Sequence, residues 1–143
     1  MTSKQILQYV KDHPFGKVKL AFTDIDGILR GKYVSSEKFL SIIDKGMSFC
    51  NVIFGWDAAD VAYDNGAYTG WHTGYPDSPA VIDINTFRKI PWEQDVPFFL
   101  GELTDEKGAP STVCPRQLLQ KVLSESNKAG YTPIFAQEFE WYN

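Results

Sequence analysis

The stretch Lys17-Val-Lys-Leu-Ala-Phe-Thr-Asp-Ile-Asp-Gly-Ile-Leu-Arg-Gly-Lys-Tyr-Val34 sets the first unit of the fold. Polar and apolar residues alternate from Lys17 to Thr23, a period of two that indicates a half-buried strand. The run from Ile28 to Val34 has the composition of a second strand, and an Asp-Gly pair between two strands is a strong hairpin signal. The sequence therefore predicts a β-hairpin in which Asp24 and Asp26 shape the turn and the glycine supplies a positive φ angle.

Short helices are predicted on both sides of this hairpin. Lys4–Asp12 carries its apolar residues on one stripe, behind a Thr-Ser pair that can cap the helix. A second helix is predicted over Glu37–Ile43, behind a Ser-Ser pair. Further strands are predicted over Phe49–Phe54, Val81–Ile84, Phe87–Trp92 and Phe98–Leu103, with an ordered loop over 55–79.

A second unit is predicted to begin near Cys114. Pro115 suits the first turn of a helix, and Gly130 is the predicted end of that helix. The segment Tyr131–Trp141 is predicted to be the final strand. We expect the helix to bury an apolar stripe of Leu118, Leu119, Val122 and Leu123.

The order of these elements predicts an α+β fold. A hairpin, a helix and then further strands produce a small mixed sheet curled around one main helix. This is the ubiquitin-like, β-grasp arrangement, and the predicted helix-strand unit follows it along the chain.

The composition argues against several classes of function. Of the 143 residues, 43% are hydrophobic, which is enough to build a core, and the formal charge of −4 argues against a broad nucleic-acid surface. No apolar run approaches the ~20 residues of a membrane span, and Met1–Pro14 lack the apolar centre of a signal peptide. Cys50 and Cys114 have no metal-type spacing, so we expect reduced, apolar cysteines in the cytoplasm.

The terminal segment carries two carboxylates in an alternating pattern. In a strand Glu138 and Glu140 would share one face, while Phe139 and Trp141 would lie on the other. Two carboxylates on one face offer oxygen ligands to a hard cation. They do not complete a metal site, and a solvated strand face is the alternative interpretation.

The turn of the hairpin allows a second interpretation. An apolar strand that runs into Asp24-Ile-Asp26-Gly27 resembles the opening motif of haloacid-dehalogenase-like phosphatases, in which the first aspartate is a nucleophile and the second a general acid. Those enzymes need a helix after the motif, whereas a strand is predicted here. We therefore favour the structural turn over the phosphatase.

Two other charged residues stand near the ends of predicted elements. Asp57 follows a strand end beside an aromatic residue, where it could hold a cation such as ammonium or be a solvated loop residue. Arg116, near the start of the last helix, is predicted to be a surface or capping residue.

Together, these segments resemble the glutamine synthetase family and its γ-glutamyl-amine synthetase relatives. Each motif is weak alone, but their order and spacing extend along nearly the whole chain. The matching segments are Asp24–Lys32, Phe54–Asp57, Ile82–Trp92, Glu102–Leu119 and Gly130–Tyr142.

The resemblance implies a fold, a reaction and an assembly. Residues 1–110 would be the N-terminal β-grasp domain, and residues 111–143 the beginning of a truncated catalytic domain. Full-length members use ATP and two Mg²⁺ or Mn²⁺ ions to make a γ-glutamyl phosphate from glutamate, which ammonia or an amine then attacks. They assemble as homo-oligomeric stacked rings with active sites between neighbouring subunits.

The resemblance also assigns residues. Glu138 and Glu140 would each ligate one metal ion, and Asp57 would help to bind and deprotonate ammonium in the neighbouring subunit's site. Asp60 departs from the small residues usual in the family's loop, which suits a larger or cationic amine. Because the other ligands are absent, we expect the chain alone to be inactive and to bind no cofactor tightly; a free-standing β-grasp binding or assembly module is the alternative.

Overall fold

The predicted hairpin is present. The computed structural model describes residues 1–142, and in it strand β1 (Lys17–Thr23) pairs antiparallel with β2 (Leu29–Ser35). The register runs from Lys17 opposite Ser35 to Thr23 opposite Leu29, without a bulge. Gly27 closes the turn at φ +83°, a left-handed conformation that glycine adopts without steric cost.

Five strands form one mixed sheet in the order β2-β1-β5-β4-β3. The remaining strands are β3 (Met47–Cys50), β4 (Asp77–Ile90) and β5 (Val96–Leu103). β1 and β5 are parallel, and every other neighbouring pair is antiparallel. This is the predicted α+β class, with the curled mixed sheet of a β-grasp-like domain.

Two helices cover one face of the sheet. Helix α1 (Ser3–Asp12) begins at Thr2, whose side chain and Gln5 form a reciprocal capping box. Helix α2 (Ser36–Ile42) begins at Ser35, whose hydroxyl accepts from the Lys38 amide.

The core lies between these helices and the sheet. Alternate residues of β1 point inward, so Leu20 and Phe22 are buried while Lys19 is not. Phe39 of α2 stacks on Phe99 of β5, with ring centroids 4.5 Å apart. Because Leu20 and Phe22 pack into the core, Lys19 lies on the opposite, outer face of β1.

Three predicted strands differ from the structure. The two short strands expected between Val81 and Trp92 are one long strand, β4, whose pairing with β5 shifts register between Asp83 and Arg88. The run Asn51–Phe54, expected to be strand, is a 3₁₀ turn. Asn51 is buried there and accepts a 2.6 Å hydrogen bond from the Thr69 hydroxyl, which ties the turn to the following loop.

Helix α3 (Pro115–Lys128) forms where it was predicted, but the prediction of a buried stripe is wrong. Leu118, Leu119 and Val122 are 60%, 50% and 54% exposed. An amphipathic helix buries its stripe only against another element, and among residues 1–142 the hydrogen bonds between α3 and the sheet come only from its polar residues Arg116, Gln117 and Gln120. Gln117 is the buried residue of α3.

The predicted final strand is also wrong. Residues 131–142 have no regular secondary structure and lie outside the sheet. A strand needs a neighbour for its backbone N–H and C=O groups, and in residues 1–142 no strand pairs with this segment. Gly130, at φ +85°, ends the helix as expected.

Among the described residues, no helix combines the length and the apolar character that crossing a membrane requires.

Candidate functional site

The guanidinium group of Arg30 joins the hairpin turn to the loop that follows the 3₁₀ turn. Its Nε donates to Asp24 Oδ2 at 2.8 Å, and its Nη2 donates to the backbone carbonyl of Asp57 at 3.2 Å. Nη1 forms an ion pair with Asp60, and the guanidinium carbon lies 5.1 Å from the centre of the Trp56 ring. We call these five residues the Arg30 cluster.

Asp24 is the buried anchor of this cluster. Its carboxylate is fully shielded from solvent, and Oδ1 accepts from the amides of Asp26 at 2.9 Å and Ile28 at 2.8 Å. Oδ1 therefore holds the turn, as predicted for Asp24, while Oδ2 binds Arg30. The carboxylate of Asp26, which was also predicted to shape the turn, makes no hydrogen bond within residues 1–142. The phosphatase alternative needs a helix after the motif, and the hairpin provides a strand instead.

Asp57 lies half-buried at the start of a tight loop. Its Oδ1 accepts from the amides of Ala59 at 2.8 Å and Val61 at 3.0 Å, and its own amide donates to the Val61 carbonyl at 3.0 Å. Within residues 1–142, Oδ2 has no hydrogen-bond partner. The loop thus fixes one carboxylate oxygen and leaves the other to accept from a cation.

Asp60 forms an ion pair that the sequence did not predict. The sequence suggested an additional carboxylate suited to a larger or cationic amine, and the structure pairs this carboxylate with Arg30. Arg30 also pairs with Asp24, so its single positive charge does not offset both carboxylates, and the preference for a larger or cationic amine stays a prediction. The hydrogen bond to Asp24, and next the one to Asp60, raise the pKa of Arg30, which stays charged.

Tyr63 lies near the cluster, and its phenol responds to carboxylates of the cluster and of the hairpin turn. Burial first, and then the charges of Asp26 and Asp57, raise the pKa of the Tyr63 phenol. Tyr63 therefore stays a neutral hydroxyl next to the loop at neutral pH.

The two glutamates of the terminal segment lie apart from this cluster. Glu138 and Glu140 are exposed, and neither makes a hydrogen bond or ion pair within residues 1–142. The part of the chain that the structure describes contains no group of three or more His, Cys, Asp or Glu residues placed to hold a metal ion. Their role as metal ligands stays a prediction.

Arg116 is a bridge rather than the surface or capping residue predicted. Its Nε donates to Glu102 of β5 at 2.8 Å, and its Nη2 donates to Asp83 of β4 at 2.7 Å. Gln120 adds a 2.6 Å bond to the same Glu102 oxygen. The first turn of α3 is thereby fixed to two strands, by partners that lie 14 and 33 residues earlier in the chain.

A separate groove of about 720 Å³ lies on the outer face of the sheet, away from Asp57. At its edge, Glu93 accepts from Lys19 at 2.7 Å and from the Tyr33 hydroxyl. The hydrogen bond with Lys19 is the main cause that lowers the pKa of Glu93, and the same bond raises the pKa of Lys19.

Comparison with known proteins identifies the origin of these motifs. The chain is 52% identical over 138 residues to type-1 glutamine synthetase 2 of Dictyostelium discoideum, a match that covers 96% of this chain and 26% of that protein. It is 37% identical over 144 residues to a glutamate–isopropylamine ligase of a Pseudomonas species, covering 97% and 31%. This chain is a homologue of members of the glutamine synthetase family.

The glutamine synthetase relatives also share the fold. A solved structure described as a novel glutamine synthase homologue superimposes with a TM-score of 0.64 at 20% identity, over 79% of this chain and 27% of that one. The chain thus spans about a quarter to a third of the length of the glutamine synthetase family proteins that it matches. No protein-family model matches the chain.

Proposed function

We propose that this chain is the N-terminal part of a glutamine synthetase-like, ATP-dependent ligase that joins glutamate to ammonia or to an amine. The observation that carries the proposal is the 52% identity with a glutamine synthetase over almost the entire chain. The hairpin and the half-buried Asp57 loop support it, since they present a carboxylate oxygen that has no partner in residues 1–142.

The proposal extends to the two parts of the chain. Residues 1–110 are the β-grasp domain, and residues 111–143 begin the catalytic domain. The exposed stripe of α3 and the exposed aromatic residues of 131–142 support this division, because both have apolar surface that a catalytic domain would cover.

In the proposed reaction Asp57 acts on the nitrogen nucleophile. Its unpartnered Oδ2 accepts a hydrogen bond from ammonium or a protonated amine, and then the proton. The neutral nitrogen can then attack the carbonyl carbon of γ-glutamyl phosphate, and the carbon–oxygen bond breaks to release phosphate. Oδ1 stays bound to the Ala59 and Val61 amides throughout, which keeps Oδ2 in one direction. The loop leaves ammonia and a larger amine both open as nucleophiles.

The metal ions and ATP would be bound mainly by residues outside this chain. Carboxylate oxygens suit Mg²⁺ and Mn²⁺, and the unpartnered carboxylates of Glu138 and Glu140 fit one ligand position each. A bound ion would neutralise phosphate charge. Two ligands are too few to hold it tightly, so we expect this chain alone to be inactive, and the complete ligase to be a cytoplasmic homo-oligomer whose sites lie between subunits.

The test is a ligase assay on the longest protein whose sequence contains residues 1–143. With glutamate, ATP and Mg²⁺, we expect ADP release that depends on ammonium or on an alkylamine. Because Asp57 is proposed both to bind and to deprotonate the nitrogen substrate, Asp57→Asn should lower kcat/KM for that substrate at least tenfold, whereas the matched change Asp64→Asn, at an exposed position a few residues further along the chain, should leave it unchanged. An Asp57→Asn enzyme with the wild-type kcat/KM would refute the role of Asp57, and absence of any γ-glutamyl product would refute the ligase.

The completeness of the β-grasp core favours a second candidate, a free-standing binding or assembly module. Every residue of the buried apolar cluster lies between Ile6 and Cys114, so this unit does not need residues 115–142 for its core. A reading frame that ends at Asn143, together with a stable chain that lacks any ligase activity, would favour the module.

A further inference from the structure

We infer that Arg30 positions Asp57, because the three nitrogen atoms of its guanidinium group hold the 56–61 loop on the hairpin turn. The inference rests on the proposed function, because the position of Asp57 affects a reaction only if the chain belongs to a ligase of this type.

The three guanidinium nitrogens of Arg30 bind three different parts of the structure. Nε is bound to the buried Asp24, Nη2 to the backbone carbonyl of Asp57, and Nη1 to the side chain of Asp60. The contact to Asp57 uses its main chain, so it fixes the residue without occupying its carboxylate. Arg30 therefore determines where that carboxylate lies and leaves Oδ2 unpartnered in residues 1–142.

The anchor of this arrangement is rigid. Asp24 is fully buried and takes two backbone hydrogen bonds from the turn, so the guanidinium that it binds has one fixed position. The Trp56 ring lies 5.1 Å from the guanidinium carbon and limits its movement on another side. Trp56 also forms an isolated bridge with Ala62, which closes the loop around Asp57.

The backbone of Asp60 has an uncommon conformation beside the ion pair. Asp60 adopts φ +65°, a left-handed conformation that is uncommon for residues other than glycine. Such a conformation persists where the surroundings hold it, and here the Asp60 amide donates to the Asp57 carbonyl at 3.1 Å while its carboxylate pairs with Arg30. Asp57 and Asp60 are thus held as one unit.

This geometry requires arginine rather than a positive charge alone. Lysine has a single ammonium group on a flexible stem and cannot reach Asp24, the Asp57 carbonyl and Asp60 in one fixed orientation. Arg30→Lys should therefore keep the charge and lose the positioning.

Amide hydrogen exchange measured by NMR on this chain tests the positioning directly. In Arg30→Lys the Ala59 and Val61 amides, which donate to Asp57 Oδ1, should exchange roughly tenfold faster than in the wild type. The amides of β5 should keep their wild-type rates, and the control Lys32→Met, on the neighbouring exposed residue of β2, should change neither set. Unchanged exchange at Ala59 and Val61 in a folded Arg30→Lys chain would overturn the inference.

A second variant covers the case in which Arg30→Lys does not fold. Asp60→Asn removes the negative charge that pairs with Nη1 and leaves the Arg30–Asp24 pair intact, so the β5 amides should stay protected while the two loop amides exchange several-fold faster. Wild-type exchange at Ala59 and Val61 in Asp60→Asn would then overturn the inference.

The complete ligase separates this inference from the proposed function. Arg30→Lys should lower kcat/KM for the nitrogen substrate at least tenfold and leave the KM for glutamate unchanged. Adding it to Asp57→Asn should cost little more, since both changes disable the same carboxylate. If Asp57→Asn alone has no effect, the proposed function of Asp57 fails; if Asp57→Asn impairs the enzyme but Arg30→Lys does not, or the two effects add fully, the positioning role fails.

Discussion

Replacing Asp24 by alanine should destabilise the fold more than any other change in the hairpin turn. The change removes the acceptor for the Asp26 and Ile28 amides, which lie 2.9 and 2.8 Å from Oδ1, and leaves Arg30 without its buried partner. Hydrogen bonds to a charged group contribute about 1.5 kcal/mol or more each, so the two amide bonds alone give about 3 kcal/mol. Loss of the Arg30 contact acts in the same direction.

Urea unfolding followed by far-ultraviolet circular dichroism measures this loss. With a slope of roughly 2 kcal/mol per molar urea, a loss of about 3 kcal/mol lowers the midpoint by about 1.5 M. Asp24→Asn keeps an acceptor for both amides but loses the charge that faces Arg30, and its midpoint should lie between those of Asp24→Ala and the wild type.

The matched control is Asp26→Ala. Asp26 lies in the same turn, but it is exposed and its carboxylate makes no hydrogen bond within residues 1–142. Its replacement should change the free energy of unfolding by less than about 0.5 kcal/mol. If Asp24→Ala were no more destabilising than Asp26→Ala, Asp24 would not be the anchor of the Arg30 cluster.

Three further predictions concern other parts of the structure. Glu93→Gln should destabilise the chain at pH 7, because the pKa of Glu93 in the folded chain is lowered from 4.5. A carboxylate of this kind stabilises the fold fully above pH 4.5, and the stabilisation is lost as the pH falls through the folded pKa. Iodoacetamide should alkylate Cys50 faster than Cys114, because burial raises the pKa of the Cys114 thiol and shields it. Arg116→Met should cost about 1–3 kcal/mol in urea unfolding, since it leaves the carboxylate of Glu102 without its cation.

Each of these has an internal control. Thermal unfolding of Glu93→Gln and wild type should be followed from about pH 3 to about pH 8, which brackets the ordinary glutamate pKa of 4.5. The two melting temperatures should converge only at the acid end, and a constant difference would contradict the ion pair. The alkylation rates of the two thiols should become equal in urea. If Lys121→Met, on an exposed position of α3, destabilised the chain as much as Arg116→Met, the bridge to the strands would have no special role.

The hairpin and the helix caps could be predicted because their signals are local. An Asp-Gly pair between alternating runs specifies a turn whatever surrounds it, and Ser35 caps α2 through an amide three residues away. The bulge in β4 could not be predicted in this way. The register shift between Asp83 and Arg88 depends on how β4 pairs with β5. The sequence predicted that one strand ends and another begins in this region, but the structure has a single strand with an irregular pairing there.

The errors at the carboxyl end have a different physical origin. The apolar stripe of α3 and the alternation in 131–141 are genuine patterns, but a pattern says only which face is to be buried and not against what. Leu118 at 60% exposure and Phe139 at 77% show that the partner surface is not supplied by residues 1–142.

Within the site, the sequence indicated Asp57 but not the residue that holds it. The sequence places Arg30 only within a matching segment, because its partners at 57 and 60 are about thirty residues away along the chain. One signal was available: an aspartate placed in a turn next to a buried strand needs a counter-charge if it is itself buried, and Arg30 is the cation nearest to Asp24 in the hairpin. The pairing of Asp60 with the same arginine could be seen only in three dimensions.

The most direct test of the proposed ligase follows one oxygen atom. The longest protein that contains residues 1–143 is supplied with ATP, ammonium or an alkylamine, and glutamate labelled with ¹⁸O in its γ-carboxylate. Attack of that carboxylate on the terminal phosphorus of ATP, followed by attack of the nitrogen on the carbonyl carbon, breaks the carbon–oxygen bond and leaves one labelled oxygen in the released phosphate. Mass spectrometry should find one ¹⁸O per phosphate and a matching amount of γ-glutamyl amide; unlabelled phosphate, or labelled phosphate without the amide, would contradict the proposed ligase.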